Sequence, residues 1–241
     1  MRPTRIIGPL ATILLALVPL APAAGAADAN SLLRKLLAIA GLTAAPGQMR
    51  SEEVEPGSIW LATMKTGVRR QITSGGGYLS PVFAPDGRTI LALKAGVVVA
   101  IPLSGGPPRQ LRAVNGALKI VGFDSLNPQE LLLLMTRVDT SLASLSLADG
   151  SLQLLPVDPG SSEQQRLLGT IRNQDRTYGM TRVYLRIERR EGLLRPVEWT
   201  DIHIASGSAP ARNISQCDGV NCAQPALSPD GKSVAFIRSS E

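Results

Sequence analysis

The chain has 241 residues, a formal net charge of +6 and only 3% aromatic residues. Its excess of base is too diffuse, and too poor in stacking side chains, for a nucleic-acid-binding stripe. The length suits one domain or a repeat array with a sizeable core, and a single histidine, His203, leaves little room for triad or metal chemistry.

The first 26 residues have the layout of a secretory signal peptide. Two arginines precede the apolar run "IIGPLATILLALVPLA", and "AGA" at Ala24–Ala26 offers a small-x-small cleavage site. Pro9 and Pro19 interrupt the run, and a spanning helix needs about 20 apolar residues, so a cleaved signal is expected and an uncleaved anchor is the alternative. Cleavage removes Arg2 and Arg5 and lowers the charge to +4 (6 − 2), with no spanning segment later in the chain. The expected location is periplasmic or secreted.

Residues 27–56 read as a short helix and a linker. "NSLLRKLLAIAGL", Asn30 to Leu42, places Leu32, Leu33, Leu36, Leu37 and Ala40 at helical spacing, with Asn30 as a cap and Gly41 as a stop. It is expected to pack on the main domain or, alternatively, to dock on a partner or a membrane surface. "TAAPGQMRSEEVEPG" follows with Pro, Gly and an acidic cluster.

From residue 57 to 241 the texture is that of an all-β fold. Short apolar or alternating runs, among them "SIWLAT", "TILAL", "VVVAIPL", "LLLLM", "TRVYLRI" and "SVAFI", are separated by Gly, Pro, Asp and Ser. One phrase occurs twice: "FAPDGRTILAL" from Phe83 and "ALSPDGKSVAFI" from Ala226. Its Pro-Asp-Gly core is turn chemistry, with Gly in the left-handed position that closes a hairpin. The two copies lie 144 residues apart (229 − 85), or three units of 48, near the length of a four-stranded propeller blade. Three units can be laid out from Ser80, the third with an insertion reaching Trp199, and a fourth stops after two strands. The two missing strands stand ahead of the first unit, as "GSIWLATMKTG" and "VRRQITSGGG". The expectation is a β-propeller of about four four-stranded blades, with Ser58–Thr63 pairing Ser233–Ser239. That pairing could arise within a monomer or across a strand-swapped dimer. A β-sandwich with two chance turns is the competing fold.

"SPVFAPDGRTILAL" and "PALSPDGKSVAFI" resemble the repeat of TolB-like β-propellers, and "VVVAIPLSGGPPRQL" and "IWLATMKTGVRRQIT" resemble that family's third and fourth strands. The resemblance covers about residues 57–241 and fades between Ala117 and Cys222. It implies a propeller that binds rather than catalyses. Such propellers usually carry six blades, and the namesake has an α/β domain ahead of its propeller. This chain has material for four blades and only about 30 residues between the signal and Gly57.

Chemistry-bearing motifs are few. "CDGVNC" holds the only two cysteines, Cys217 and Cys222. In an exported chain this spacing reads as a disulfide, with free thiols or a metal site as weaker readings. Similar propellers cap prolyl-oligopeptidase-type hydrolases, but the Gly-x-Ser-x-Gly elbow those enzymes need does not occur. His203 alternates with Ile202 and Ile204 and reads as an ordinary strand residue. Asn213-Ile214-Ser215 matches a glycosylation acceptor of low specificity. "RIERREGLLR" concentrates Arg186, Arg189, Arg190 and Arg195 with two glutamates, either as a solvated hairpin extending past the blade or as a basic lobe for an acidic partner. No catalytic, cofactor or metal residues are expected. The function expected is an exported, non-enzymatic propeller binding a protein or peptide. The alternatives are an accessory subunit that completes a ring with another chain, and a propeller enzyme using unidentified rim residues.

Overall fold

In the computed structural model the described residues are 55–136, 140–155, 177–193 and 195–239. The signal segment, the helix expected at Asn30–Leu42 and the first strand expected for the third unit lie outside them. The described residues are all-β, with no helix.

Four strand groups follow the sequence. The first is β3 (Tyr78–Phe83), β4 (Thr89–Lys94), β5 (Val97–Pro102) and β6 (Arg109–Ala113). The second is β7 (Ala117–Phe123), β8 (Glu130–Thr136), β9 (Thr140–Ser146) and β10 (Leu152–Leu154). The third is β11 (Thr177–Tyr178), β12 (Thr181–Arg190), β13 (Val197–Ser206) and β14 (Arg212–Asn213). The last joins both ends of the fold: β15 (Cys222–Leu227), β16 (Ser233–Ser239), β1 (Gly57–Thr63) and β2 (Arg69–Gln71). β1 runs antiparallel to β16 over its full length, from Gly57↔Ser239 to Thr63↔Ser233. The first and last groups are also bridged by one residue pair, Gly57↔Tyr78, so hydrogen bonding joins them in one eight-stranded sheet, with β2 branching off β1, rather than two separate sheets. Among the described residues no sheet closes on itself.

The repeated phrase folds alike in both copies. In β3–β4 the pairs are Leu79↔Leu93, Val82↔Leu91 and Phe83↔Ile90. In β15–β16 they are Ala223↔Ile237, Ala226↔Ala235 and Leu227↔Val234, each 144 residues on (223 − 79, 237 − 93 and so forth). The turns match too: Gly87 N–H donates to Ala84 O and Gly231 N–H to Ser228 O. Both glycines are left-handed, at φ 63° and 67°, as the Pro-Asp-Gly sequence requires. Even the strained residues coincide. Ser80 and Gln224 each sit at a bulge before a proline with φ 51°, and Ser80 N–H donates to Gln224 Oε1 at 2.6 Å across the two innermost strands.

Burial is greatest in the inner strands and least in the outermost ones. β3 and β15 are almost wholly buried, while β2, β6 and β10 are largely exposed. The second strands β4, β8 and β16 are buried on both faces, as an apolar run covered from two sides must be. Leu91 and Leu93 face the β7–β10 group, with Phe123, Leu133 and Met135. Ile90 and Ala92 face the opposite way, toward Ile59 and Ile237. β16 repeats this, with Ala235 and Ile237 in that second cluster and Val234 and Phe236 in a third with Val183, Ile202 and Ile204. Full burial of one such side chain is worth about 1.5–3 kcal/mol. The groups thus pack in the order second, first, fourth, third. Between β7–β10 and β11–β14 no comparable packing occurs among the described residues.

Candidate functional site: a braced hairpin

β12 and β13 are the longest strands, and they pair without a break from Thr181↔Ser206 to Arg190↔Val197. The described flanking strands cover only the base: β11 pairs Thr181 and Arg182, and β14 pairs His203 and Ile204. The insertion expected before Trp199 is therefore an extension of this hairpin. Its distal half, from Arg186 to Trp199, carries the arginines singled out in the sequence.

A buried carboxylate organises the base. Asp201 is 2% exposed. Its Oδ1 accepts hydrogen bonds from Ser215 Oγ at 2.6 Å and Cys217 N–H at 2.7 Å. Its Oδ2 accepts from Trp199 Nε1 and Asn213 Nδ2, both at 2.9 Å. Burial pushes its carboxyl up, but the bonds from Ser215, Cys217 N–H, Trp199 and Asn213 together hold it below the ordinary value. Ser215 Oγ in turn accepts from Ile202 N–H at 2.7 Å, so side chains satisfy the edge of β13. The Asn213 amide nitrogen is committed to Asp201, and a glycan there would remove that bond.

Cys217 and Cys222 are joined as a disulfide, buried at both ends, with Cα atoms 6.2 Å apart. The loop between them ties the hairpin to the last strand group. Asp218 pairs with Arg190 at 3.3 Å, and Asn221 Oδ1 accepts from Thr200 N–H at 3.1 Å. Thr200 Oγ1 donates to Cys222 O at 2.9 Å, and Ser239 N–H donates to Asn221 O at 3.0 Å. Arg69, on β2, donates to Ser215 O and Gln216 O at 2.7 and 2.9 Å.

The four candidate arginines thus share one hairpin, but not one face. Arg186 and Arg190 point to one side, and Arg189 to the other by strand alternation. Arg186 lies 3.5 Å from Glu188, Arg189 lies 3.9 Å from both Glu191 and Glu198, and Arg190 also stacks over Trp199. Arg195 is exposed and makes no ion pair with a described residue. Ile187 (68% exposed), Leu193 and Val197 add exposed apolar surface.

His203, 5% exposed, has Nε2 2.8 Å from Glu188 Oε1, and its Nδ1 is buried without a hydrogen-bond partner. Among the described residues no hydroxyl or thiol is bonded to the imidazole. No cluster of three or more His, Cys, Asp or Glu fit for a metal ion exists among the described residues. The sequence analysis missed Asp201 as a hub and Arg69, Thr200 and Asn221 as braces. Only the proximity of "CDGVNC" to a polar residue in an apolar strand hinted at them.

Among solved structures, a protein assigned as a TolB from Agrobacterium tumefaciens is similar at 18% identity and a TM-score of 0.36, over 73% of this chain and 59% of that one. TolB from Acinetobacter baumannii is similar at 14% identity and a TM-score of 0.35, over 89% of this chain and 53% of that one. The chain spans a little over half the length of these structures, and superpositions this loose transfer no site or partner. No protein-family model matches the sequence, and no curated protein matches it.

Proposed function

We propose that the protein is an exported, non-catalytic β-propeller-type protein of the cell envelope that binds a protein or peptide partner through the β12–β13 hairpin. The observation that carries this is the hairpin itself. It runs past its flanking strands and holds a mixed arginine and apolar surface out to solvent. A disulfide loop fixes it to the rest of the fold, which limits the ordering cost of binding. Arginine beside exposed apolar residues is also the composition that favours strong interface anchors. A disulfide accords with an oxidising compartment.

The test is capture from an envelope extract with the native protein and with the Arg186→Glu, Arg189→Glu, Arg195→Glu variant as bait. One envelope protein should be retained by the native bait and reduced about tenfold by the variant. Matching captures would remove the hairpin from the function.

A second reading is an accessory subunit that completes its ring with another chain. It is favoured by the lack, among the described residues, of packing between β7–β10 and β11–β14. A solution mass of one chain would exclude assembly with a second copy, and a mass of two or more would support it.

A further inference from the structure

The two edges of the hairpin differ. Gly207 N–H donates to Met180 O at 3.2 Å, one step before the Thr181↔Ser206 pair. In an antiparallel ladder, pairs that exchange hydrogen bonds alternate with pairs that do not. The unbroken register therefore places bonds at Arg182↔Ala205, Tyr184↔His203, Arg186↔Asp201 and Glu188↔Trp199. The backbone groups of Leu185, Ile187 and Arg189 point away from β13, and those of Thr200 and Ile202 point away from β12. On β13 this outward edge is capped: Thr200 N–H donates to Asn221 Oδ1, Ile202 N–H to Ser215 Oγ, and Ile202 O accepts from Ile214 N–H. On β12, pairing with β11 ends at Arg182, and no described residue takes up the outward groups of Leu185, Ile187 or Arg189. Ile187 and the Arg189 side chain are more than half exposed. A ten-residue strand with no proline and no bulge is thus left open along one edge, which is a template for another strand.

The side chains beside that edge say which strand it takes. β12 carries Arg182, Arg186, Arg189 and Arg190 against Glu188 alone, and Glu188 is bonded to His203. Two copies of β12 side by side would set arginine against arginine, which is unfavourable. Val183, Leu185 and Ile187 share one face, and Arg182, Arg186 and Arg190 the other. From this arrangement we propose that β12 accepts an extended acidic segment of the partner protein as an added strand along residues 185–189. The segment alternates, with apolar side chains beside Leu185 and Ile187 and carboxylates beside Arg182, Arg186 and Arg190. Backbone hydrogen bonds supply the affinity, and the alternating side chains supply the selectivity. This rests on the hairpin being the binding surface and states how that surface is read. Full capture by an Ile187→Pro bait, with capture lost by the arginine variant above, would overturn strand addition and leave the hairpin as the binding surface.

The direct test uses the full chain and a fluorescein-labelled peptide of alternating Val and Glu, with a peptide of alternating Val and Lys as control. Fluorescence anisotropy should show the acidic peptide bound about tenfold more tightly than the basic one. Ile187→Pro removes an outward N–H and no bond to β13, at a place where an edge strand tolerates proline. It should weaken binding of the acidic peptide about tenfold, whereas Ile187→Val should leave it unchanged. Amide exchange followed by NMR gives a reading that needs no variant. The acidic peptide should slow exchange at Leu185, Ile187 and Arg189 more than at Tyr184, Arg186 and Glu188. Equal binding of the two peptides, or slowing without this alternation, overturns the proposal. Slow exchange at the same three amides before peptide is added also overturns it, because the edge is then already taken. A solution mass of two chains that Ile187→Pro reduces to one overturns it in favour of a second copy as the occupant.

Discussion

At the scale of single residues, Asp201 illustrates how a buried charge is kept. Its four donors arrive from Ser215, Cys217, Trp199 and Asn213, and an amide at this position could not accept all of them. Asp201→Asn should therefore cost about 2–3 kcal/mol at neutral pH, read from denaturant melts. Because the folded protein holds this carboxyl below its unfolded value, its contribution is complete above about pH 4 and is lost as pH falls through the lower folded-state value. The gap between native protein and variant should consequently shrink as pH falls below about 4, and a constant gap would show that the charge is not what matters. Gly87 and Gly231 give a second residue-scale test, since they occupy the same turn at nearly the same φ. A Cβ on Gly231 would come within 2.3 Å of the Tyr178 ring, whereas one on Gly87 meets only Pro229 at 3.9 Å. Alanine at either should cost about 1–2 kcal/mol for the left-handed backbone. Gly231→Ala should cost more than Gly87→Ala, and Tyr178→Ala should abolish the excess.

At the scale of elements, legibility in the sequence follows sequence distance. The Pro-Asp-Gly hairpins were readable because turn chemistry is local, and the unbroken apolar run Ile90–Leu93 suits a strand that is buried on both faces. The pairing of β1 with β16 was readable because each end carries the half-unit that the other lacks. The hairpin's brace was not readable. Asp201 sits in "TDIHIA" as an alternating polar residue that looks solvent-facing, and its partners lie up to 16 residues on, in strands and loops whose approach no local pattern encodes. The Ser80–Gln224 bond spans 144 residues and depends on two bulges in register. The disulfide was legible, but its attachment to Arg190 and Thr200 was not. That attachment makes a prediction for the element as a whole. Replacing Cys217 and Cys222 by serine should lower stability by about 2 kcal/mol, a modest amount for so short a loop. It should also speed amide exchange in Tyr184–Arg190 more than in β4. Uniform acceleration across both would mean that the loop stabilises the fold without bracing the hairpin.

At the scale of the whole molecule, the group β15–β16–β1–β2 is central. Two of the three apolar seams use it, one through Ile59 and Ile237, the other through Val234 and Phe236. It is also the only group assembled from both ends of the chain, so losing β1 would strip β16 of its partner and open both seams together. Exposed backbone on β16 would then invite pairing with another chain. The same strands could be satisfied by exchange between two copies. Cysteines at Leu61 and Ala235 separate the arrangements, because these residues face each other directly across β1 and β16. Directly paired antiparallel residues have Cα atoms about 4.5–5.5 Å apart, inside the range that a disulfide bridges. The Leu61→Cys, Ala235→Cys protein should form this bond within one chain during oxidative folding and show a solution mass unchanged by it. A bond found only between chains would assign the pairing to an exchanged dimer. Free thiols at both positions in a folded, soluble protein would mean that the two ends of the chain do not share a sheet.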